Sequence, residues 1–398
     1  MITVAEIDKI ILDSIKITET EQVKFDDCLG RVLAEDIIAD RDFPPFDRVM
    51  MDGIAIRFTD WQAGKRNFKV QELLAAGSPG ITLEESGNCI EVMTGAVCPS
   101  HADTIIKYEE VTVKDGVAII DSGVEVKANQ HVHPQGSDRK IKDVLIKKEK
   151  QITAAEIGVL ATAGKSKVLV QKRRKVAIVA TGDELVEINK TPLAHQIRKS
   201  NVYNLQAHLT SKGYASNIFH IIDDKKKLKK ALEKILKEHE VVILSGGVSK
   251  GKLDFVPEIL AELGVEKQFH FVKQRPGKPF WFGTYSNGAV FALPGNPNST
   301  FVGVNRYVIP FLLRSEGVEP LKVKARLAKN FSFKPDLTYF LQVQLAYNSE
   351  GALMATPLPG HGSGDLANLA DADGFLELPM GKIDFKKGEV FDCYPYRF

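Results

Sequence analysis

Residues 172–314 alternate between short apolar runs and amphipathic segments, and this alternation constrains the fold more than any other feature of the chain. The runs KVAIVAT, NIFHII and VVIL have the length and composition of buried strands. Segments with helical periodicity lie between them, such as SNVYNLQAHLTSKG, in which Ser200 is a predicted cap and Gly213 a predicted stop. Strands that alternate with helices predict a three-layer α/β domain with a mainly parallel sheet.

Different patterns flank this predicted domain. Residues 1–168 start with an amphipathic helix that carries a capping box at Thr3 and Glu6. They continue as a mixed α+β region with an inserted β subdomain around residues 45–140, in which TVKDGVAIID predicts a hairpin with Asp115-Gly116 at its turn. A second capping box, at Thr153 and Glu156, predicts a further helix. The runs VKARLA, YFLQVQLAY, ALMATPL, GFLELP and EVFDCYPY predict a separate small domain over residues 320–398, a barrel or a sandwich, and we expect a small β-barrel. The chain is therefore predicted to be a multidomain α/β protein.

Composition excludes several classes of protein. The net charge of the 398 residues is +2, which is too balanced to indicate nucleic acid as the main partner. The four cysteines lie far apart without a CxxC motif, so we expect neither a zinc ribbon nor a disulfide framework, and we predict a cytoplasmic location. No apolar run reaches the about 18 residues of a membrane span, and the start MITVAEIDKI is too charged for a signal peptide.

Three polar loops directly follow predicted strands: TGDEL, SGGVSKGKLD and PGNPNST. Ligands bind at the carboxyl ends of the strands in an open parallel sheet, so we expect the three loops to line one edge. Their glycines allow backbone N–H groups to approach an anion closely, although any one glycine turn can be a mere tight connection. The predicted binding residues are Thr181, Gly182, Asp183, Ser245, Gly246, Gly247, Ser249, Gly251, Pro294, Gly295, Asn296, Pro297 and Ser299.

Two carboxylates, Glu184 and Asp254, belong to these phosphate-binding loops. A carboxylate repels a phosphate unless a cation lies between them, and Mg²⁺ typically uses one or two carboxylates with phosphate oxygens and water. We therefore predict a Mg²⁺ site at this edge, to which the Ser249 hydroxyl could contribute. Asp254 could also be the N-cap of the next helix, and both roles could hold at once.

Two further stretches carry cations. GGVSKGKL nearly matches the phosphate-binding pattern GxxxxGK[ST], but Leu253 stands where a hydroxyl should bind Mg²⁺, so we reject a true P-loop. In RPGKPFWFG, Arg275 and Lys278 share a turn that prolines restrain. Paired cations on a stiff loop suit an oxyanion or a phosphate, and the alternative is a surface turn with two solvated cations.

In their order and spacing, these motifs resemble the molybdopterin molybdenumtransferases, the family of MoeA and the gephyrin E-domain. The resemblance runs nearly end to end and rests on PPFDRVMMDGIAI, VMTGA, GSD, TGDEL, SN, IIDD, SGGVSKGKLDF, RPGKP, LPGNPNS and GHGS. The family inserts molybdenum from molybdate into adenylylated molybdopterin and releases AMP. The resemblance also implies an elongated homodimer in which the partner's N-terminal region helps to close the site, and the molybdopterin adenylyltransferase is a candidate partner.

The resemblance implies roles for individual residues. The implied catalytic residues are Asp52, Thr94, Asp138, Glu184, Asp254, Arg275, Lys278 and Ser363, and the implied Mg²⁺ ligands are Glu184, Asp223, Ser249 and Asp254. The matched Ser-Asn pair adds Asn201 to the substrate-binding residues. Arg275, Lys278 and Ser299 would hold molybdate, and Ser363 would approach from the C-terminal domain.

The chain departs from the family pattern at three places. Arg48-Val49-Met50 replaces Asn-Ser-Ala, Lys199 replaces an acid, and Phe271 replaces a lysine, so the preference for molybdate over tungstate stays open. Two other functions stay as alternatives. One is a nucleotide or pyrophosphate hydrolase of the competence-damage type, which shares the α/β domain, and the other is a non-catalytic scaffold.

Overall fold

The computed structural model describes residues 1–248, 255–286 and 288–397, which form two compact units. The first unit contains Met1–Gln22, Gly30–Val32 and Leu169–Phe398, and the second contains Val23–Leu29 and Leu33–Val168. No helix in the described ranges is both long and apolar enough to cross a membrane.

The helices and strands have the following bounds. The α-helices are Val4–Asp13, Phe58–Gln62, Ala154–Thr162, Asn201–Ser211, Lys225–Glu238, Val256–Glu262, Pro297–Gly303, Ile309–Ser315 and Ala367–Asp371, with 3₁₀ turns at Phe25–Asp27 and Tyr108–Glu110 and a π-helical segment at Val304–Val308. The strands are Thr20–Lys24, Ile37–Ile38, Arg48–Val49, Gly53–Ile56, Asn67–Leu74, Asn88–Val92, Thr104–Lys107, Val111–Lys114, Val117–Ile120, Val132–His133, Val144–Ile146, Lys167–Gln171, Val176–Thr181, Leu185–Val186, Ile197–Arg198, Ser216–Ile221, Val241–Ser245, Glu266–His270, Gln274–Arg275, Trp281–Tyr285, Gly288–Leu293, Val323–Leu327, Phe331–Ser332, Thr338–Tyr347, Leu353–Pro357, Gly374–Leu378, Asp384–Phe385 and Val390–Pro395.

A six-stranded sheet forms the centre of the first unit. Its strand order is Ser216–Ile221, Val176–Thr181, Val241–Ser245, Gly288–Leu293, Trp281–Tyr285 and Glu266–His270, and the first four strands are parallel. Successive residues of the central strands face opposite cores: Val176 and Ile178 pack into one apolar cluster, and Ala177 and Val179 pack into another. Helices cover both faces, which confirms the predicted three-layer α/β domain with a mainly parallel sheet.

The first helix packs against the same domain. Val4, Ile7 and Ile11 are buried in the cluster that contains Val176, and the predicted capping box between Thr3 and Glu6 is present. The helix Asn201–Ser211 has Ser200 at its N-cap, as predicted, but the Ser200 side chain makes no capping hydrogen bond.

The last helix of the domain is not uniform, although the stretch STFVGVNRYVIPFLL predicts one continuous helix. It begins at Pro297, passes through a π-helical segment at Val304–Val308, and ends at Ser315. Pro310 lacks the N–H that would bond to the Arg306 carbonyl, and its ring would crowd that carbonyl in a regular α-helix. The wider π turn directly before Pro310 is a common way to accommodate such a break.

The C-terminal strands close into a barrel. Thr338–Tyr347 pairs with Leu353–Pro357, followed in order by Val323–Leu327, Val390–Pro395 and Gly374–Leu378, which pairs back with Thr338–Tyr347. The predicted barrel is thereby confirmed. The short strand Gln274–Arg275 adds to this sheet in parallel with Thr338–Tyr347 and attaches the RPGKP turn to the barrel.

The second unit is built on another six-stranded sheet. Its order is Thr104–Lys107, Gly53–Ile56, Asn88–Val92, Asn67–Leu74, Val117–Ile120 and Val111–Lys114. The last two strands form the predicted hairpin, and Asp115 and Gly116 at its turn both have positive φ, at 52° and 74°. The capping box of Thr153 and Glu156 precedes the helix Ala154–Thr162, as the sequence predicts.

Candidate functional site

The three polar loops meet at the carboxyl edge of the parallel sheet in the first unit. They line a cavity of about 260 Å³, which we call the strand-end cavity. Its lining contains the predicted residues Thr181, Gly182, Glu184, Asn201, Asp223, Ser245, Gly246, Gly247, Gly295 and Pro297. Asp183 is outside the lining, where its Oδ1 accepts a hydrogen bond of 3.1 Å from the Asp223 amide.

Side-chain amides and glycines hold these loops together. Asn201 Nδ2 donates to Ser245 Oγ at 2.9 Å and to the Gly295 carbonyl at 2.7 Å, so one side chain connects two loops. Gly246 has φ of 104°, and a Cβ there would lie 2.9 Å from Thr181 Oγ1. A side chain at position 246 would therefore be strained and would crowd the neighbouring strand end. The loops form a tight cradle of polar backbone.

Oxygen ligands for a hard cation lie in the strand-end cavity. Glu184 and Asp223 line it, and the Glu184 carboxylate lies against Gly182. The buried Thr181 Oγ1 has no hydrogen-bond partner among the described residues. Carboxylate and hydroxyl oxygens are ligands that Mg²⁺ accepts. The described ranges contain no group of three or more His, Cys, Asp or Glu side chains placed to hold a metal ion, and the predicted residues Ser249, Gly251 and Asp254 fall outside these ranges.

The same cavity has a basic side that the sequence interpretation missed. Arg198 and Lys199 line it, and Lys199 is only 5% exposed. Lys199 forms an ion pair with Glu187, and its hydrogen bond lowers the pKa of that carboxyl. Lys199 stands where the family has an acid, and the carboxylate of Glu187 balances its positive charge. The only sequence signal was the Arg-Lys pair directly before the Ser-Asn motif.

A second cavity, of about 320 Å³, lies between the RPGKP turn, the PGNPNS segment and the barrel, and we call it the turn cavity. Its lining contains the predicted residues Arg275, Lys278, Pro294, Asn296, Ser299 and Ser363. Both cations are exposed, and neither forms an ion pair with a described residue. No Asp or Glu belongs to the lining that the structure describes. Two cations without a carboxylate in the described lining favour the binding of a small anion.

Buried groups position the two cations. Gln274 is 1% exposed, and its Nε2 donates to the Pro276 carbonyl at 3.1 Å while its Oε1 accepts a bond of 2.6 Å from Tyr307. Arg275 lies opposite Tyr339 of the barrel, whose pKa is raised by burial, so its phenol stays protonated. Gln274 was not predicted, because its partner Tyr307 is distant in sequence.

The PGNPNS segment separates the two cavities. Gly295 and Pro297 line the strand-end cavity, whereas Pro294, Asn296 and Asn298 line the turn cavity. Groups bound in the two cavities would therefore lie on opposite sides of one short stretch of backbone. Such an arrangement can bring an organic substrate and a small anion together.

The remaining predicted residues lie in the second unit. Asp52 Oδ1 accepts bonds of 2.6 Å from the Thr94 amide and 2.7 Å from the Thr94 hydroxyl, and these bonds lower the pKa of Asp52. Asp138 Oδ1 lies 2.9 Å from His133 Nε2, and His133 Nδ1 lies 3.1 Å from Arg48. The structure thus pairs Asp52 with Thr94 and connects Asp138 to Arg48, one of the departures from the family pattern.

Three family models match successive parts of the chain. They are the MoeA N-terminal region (domains I and II) over residues 2–164, the probable molybdopterin binding domain over residues 177–314, and the MoeA C-terminal region (domain IV) over residues 324–396.

Full-length relatives agree with these models. A molybdopterin molybdenumtransferase of Synechocystis sp. is 41% identical over 374 residues, which cover 93% of this chain and 94% of the relative. One from Staphylococcus epidermidis is 31% identical over 380 residues, which cover 93% and 90%. Among solved structures, a molybdopterin biosynthesis MoeA protein from Pyrococcus horikoshii superposes with a TM-score of 0.83 and 30% identity, and 100% of both chains is covered.

Proposed function

Because the chain belongs to the molybdopterin molybdenumtransferase family, we propose that it transfers molybdenum from molybdate into adenylylated molybdopterin and releases AMP. The observation that carries this proposal is the pair of cavities on either side of the PGNPNS segment. The strand-end cavity offers carboxylates, hydroxyls, backbone donors and the cations Arg198 and Lys199, whereas the turn cavity offers two cations and no described carboxylate. The reaction has two substrates of different chemistry, an organic nucleotide and a small oxyanion, and it needs a site for each.

We assign the adenylylated molybdopterin to the strand-end cavity and molybdate to the turn cavity. Thr181, Asn201 and Ser245 can hydrogen-bond to the organic substrate. Arg275 and Lys278 can balance the two negative charges of molybdate. A doubly charged oxyanion needs several convergent donors, and charge-assisted hydrogen bonds from a guanidinium and an ammonium are among the strongest in proteins.

We also propose that the strand-end cavity binds Mg²⁺. Glu184 and Asp223 supply carboxylate oxygens, and the Thr181 hydroxyl, which has no partner in the part of the chain that the structure describes, is a third candidate oxygen. Ser249 and Asp254 stay predicted ligands. Mg²⁺ bound here would offset the negative charge of the phosphate groups, and this would make AMP a better leaving group. The described carboxylates fit this ion, because Mg²⁺ is typically bound by one or two carboxylates.

AMP release tests the function directly. The purified protein is incubated with adenylylated molybdopterin and Mg²⁺, with and without molybdate, and AMP is measured. A transferase releases AMP in a molybdate-dependent manner, a hydrolase releases AMP without molybdate, and a scaffold releases none. The hydrolase alternative is not favoured, since it accounts for the α/β domain alone, whereas the family models also match the regions on either side.

We further propose that the protein is a homodimer, as the resemblance implies. If each site uses Glu184 of one chain and Asp52 of the other, Asp52→Ala and Glu184→Ala are each inactive. After the two variants are mixed and re-associated, half of the dimers are mixed, and each mixed dimer has one intact site. We expect about a quarter of the wild-type activity to return, as the symmetry of a dimer requires.

The mixing experiment has two controls. Each variant is mixed with itself under the same conditions, and light scattering gives the mass of each preparation. A monomeric mass at all concentrations, or no activity in a mixture that light scattering shows to be dimeric, would contradict the shared site.

The cytoplasm stays the proposed compartment. All four cysteines, Cys28, Cys89, Cys98 and Cys393, are free, as is usual in a reducing environment. The substrate carries an adenylyl group that another enzyme must supply, so we keep the molybdopterin adenylyltransferase as a candidate partner.

A further inference from the structure

The loop Gly360–Asp365 of the C-terminal domain is bonded to the PGNPNS segment, and this contact determines where Ser363 lies. Asn296 Nδ2 donates to Ser363 Oγ at 2.8 Å, and the backbone N–H of Asn298 donates to the Ser363 carbonyl at 3.1 Å. Because Ser363 Oγ accepts a bond from Asn296, the hydroxyl proton of Ser363 is free to point elsewhere. Ser363 lines the turn cavity, so its proton can be donated to an anion there.

The side chain of Asn298 holds the rest of the loop. It is 3% exposed, and its Nδ2 donates to the Gly362 carbonyl at 3.0 Å. A second pair of contacts, at 3.4 and 3.5 Å, joins the Asn298 amide to the Gln342 amide on the barrel strand Thr338–Tyr347. Asn298 therefore contacts both the loop and the barrel.

A third amide completes the connection. Asn368 Nδ2 donates to Gln342 Oε1 at 2.7 Å and to the Leu358 carbonyl at 2.9 Å, just before the loop. At the other end of the loop, Asp365 accepts bonds from the amides of His361 and Asn368, and these bonds lower its pKa. Three amides thus link the last helix of the α/β domain to both ends of the loop. Buried polar groups of this kind are stable only when all their partners are present.

We propose that Asn298 is a positioning residue that fixes Ser363 as a hydrogen-bond donor to the anion in the turn cavity. The proposal rests on the assignment of molybdate to that cavity. Asn298 does not supply the donor itself, since the two hydrogens of its Nδ2 are directed to the Gly362 carbonyl and to Gln342 Oε1. Loss of the Asn298 side chain leaves the Gly362 carbonyl without its bond, and only the Asn296 side chain and the Asn298 backbone N–H still hold Ser363. The loop is then looser, and the Ser363 hydroxyl spends less time in the cavity.

A double-mutant cycle separates positioning from a direct role. Asn298→Ala, Ser363→Ala and the double variant are assayed for the molybdate concentration that gives half-maximal AMP release. We expect each single variant to raise this concentration about three- to tenfold, which corresponds to the net strength of one ordinary hydrogen bond. The double variant should be no worse than Ser363→Ala, because Asn298 acts through Ser363. Multiplied losses in the double variant would overturn the proposal.

Controls separate the effect from general damage. Asn298→Leu has the same branched shape and the same number of side-chain heavy atoms as Asn298, so it fills the space without hydrogen bonds if Asn298→Ala folds poorly. Asn305→Ala removes an amide from the π-helical segment that continues this helix, where its Nδ2 donates to the Phe301 carbonyl and its side chain neighbours His208 rather than the loop. It should leave the molybdate requirement unchanged. The affinity for adenylylated molybdopterin should change less than twofold in all variants. An equal loss of affinity for both substrates would assign Asn298 to general packing.

Hydrogen exchange tests the loop independently of the reaction. The amides of residues 361–364 should exchange faster in Asn298→Ala than in the wild type and in Asn305→Ala, and unchanged exchange would refute the positioning role. If the wild-type protein shows no molybdate-dependent AMP release, the proposed function is wrong. The exchange result still decides in that case whether Asn298 holds the loop.

Discussion

Replacement of Glu184 with alanine is expected to lower the rate of molybdate-dependent AMP release about 100-fold, the typical cost of a lost electrostatic contact in an active site. Glu184 lies at the strand-end cavity with its carboxylate against Gly182, where the phosphates and Mg²⁺ are proposed to bind. Its side chain is exposed and belongs to no apolar core, so the fold should be unaffected. The Mg²⁺ concentration for half-maximal rate should also rise, which a steady-state titration of Mg²⁺ measures.

The matched control is Glu238→Ala, an exposed glutamate at the end of the helix Lys225–Glu238. It removes the same charge far from the strand-end cavity and should leave both the rate and the Mg²⁺ requirement unchanged. If folded Glu184→Ala keeps near-normal activity and an unchanged Mg²⁺ requirement, the metal is bound by other residues. Asp223 and the predicted ligand Asp254 would then be the next candidates.

The sequence was sufficient where local rules decide the structure. Alternation of strands and helices predicted the α/β domain, and two capping boxes predicted the starts of two helices. The edge at which the TGDEL, SGGV and PGNP loops meet follows from the direction of parallel strands. These features depend on neighbours in sequence or on a general rule of sheet topology.

Other parts of the site depend on partners that are distant in sequence, and these were not predicted. The ion pair of Lys199 and Glu187 requires the strands Leu185–Val186 and Ile197–Arg198 to pair. The bond from Asn298 to Gly362 requires the barrel loop to lie over the α/β domain. No periodicity or motif encodes which amide contacts which carbonyl, because three-dimensional packing decides that choice.

Phe271 is a departure from the family pattern that lies outside the described lining of the turn cavity. It has φ of 68° and stacks on His270 with 3.9 Å between ring centroids, so it offers an aromatic surface where the family has a cation. The turn cavity is left with Arg275 and Lys278 as its two cations among the described lining residues. Each of the two should therefore contribute a larger share of the binding energy for the anion.

Arg275→Ala is accordingly expected to raise the molybdate concentration for half-maximal AMP release about tenfold or more, at the strength of hydrogen bonds to a charged group. The affinity for adenylylated molybdopterin should change less than twofold, because that substrate is assigned to the other side of the PGNPNS segment. Arg275→Lys should recover part of the loss, since the charge stays while the two-pronged geometry of the guanidinium is lost. Kinetics with varied molybdate and direct binding of the pterin nucleotide measure the two quantities separately.

Arg326→Ala is the control, because it removes an exposed arginine from the barrel strand Val323–Leu327, outside the lining of the turn cavity. It should change neither quantity. The distinction matters because molybdate and phosphate are both oxyanions, and a turn with two cations could serve either one. If Arg275→Ala lowers the affinity for both substrates equally, the RPGKP turn binds the phosphates of the nucleotide, and the molybdate site lies elsewhere. A loss of affinity confined to molybdate would support the turn cavity as the molybdate-binding site beside the pterin.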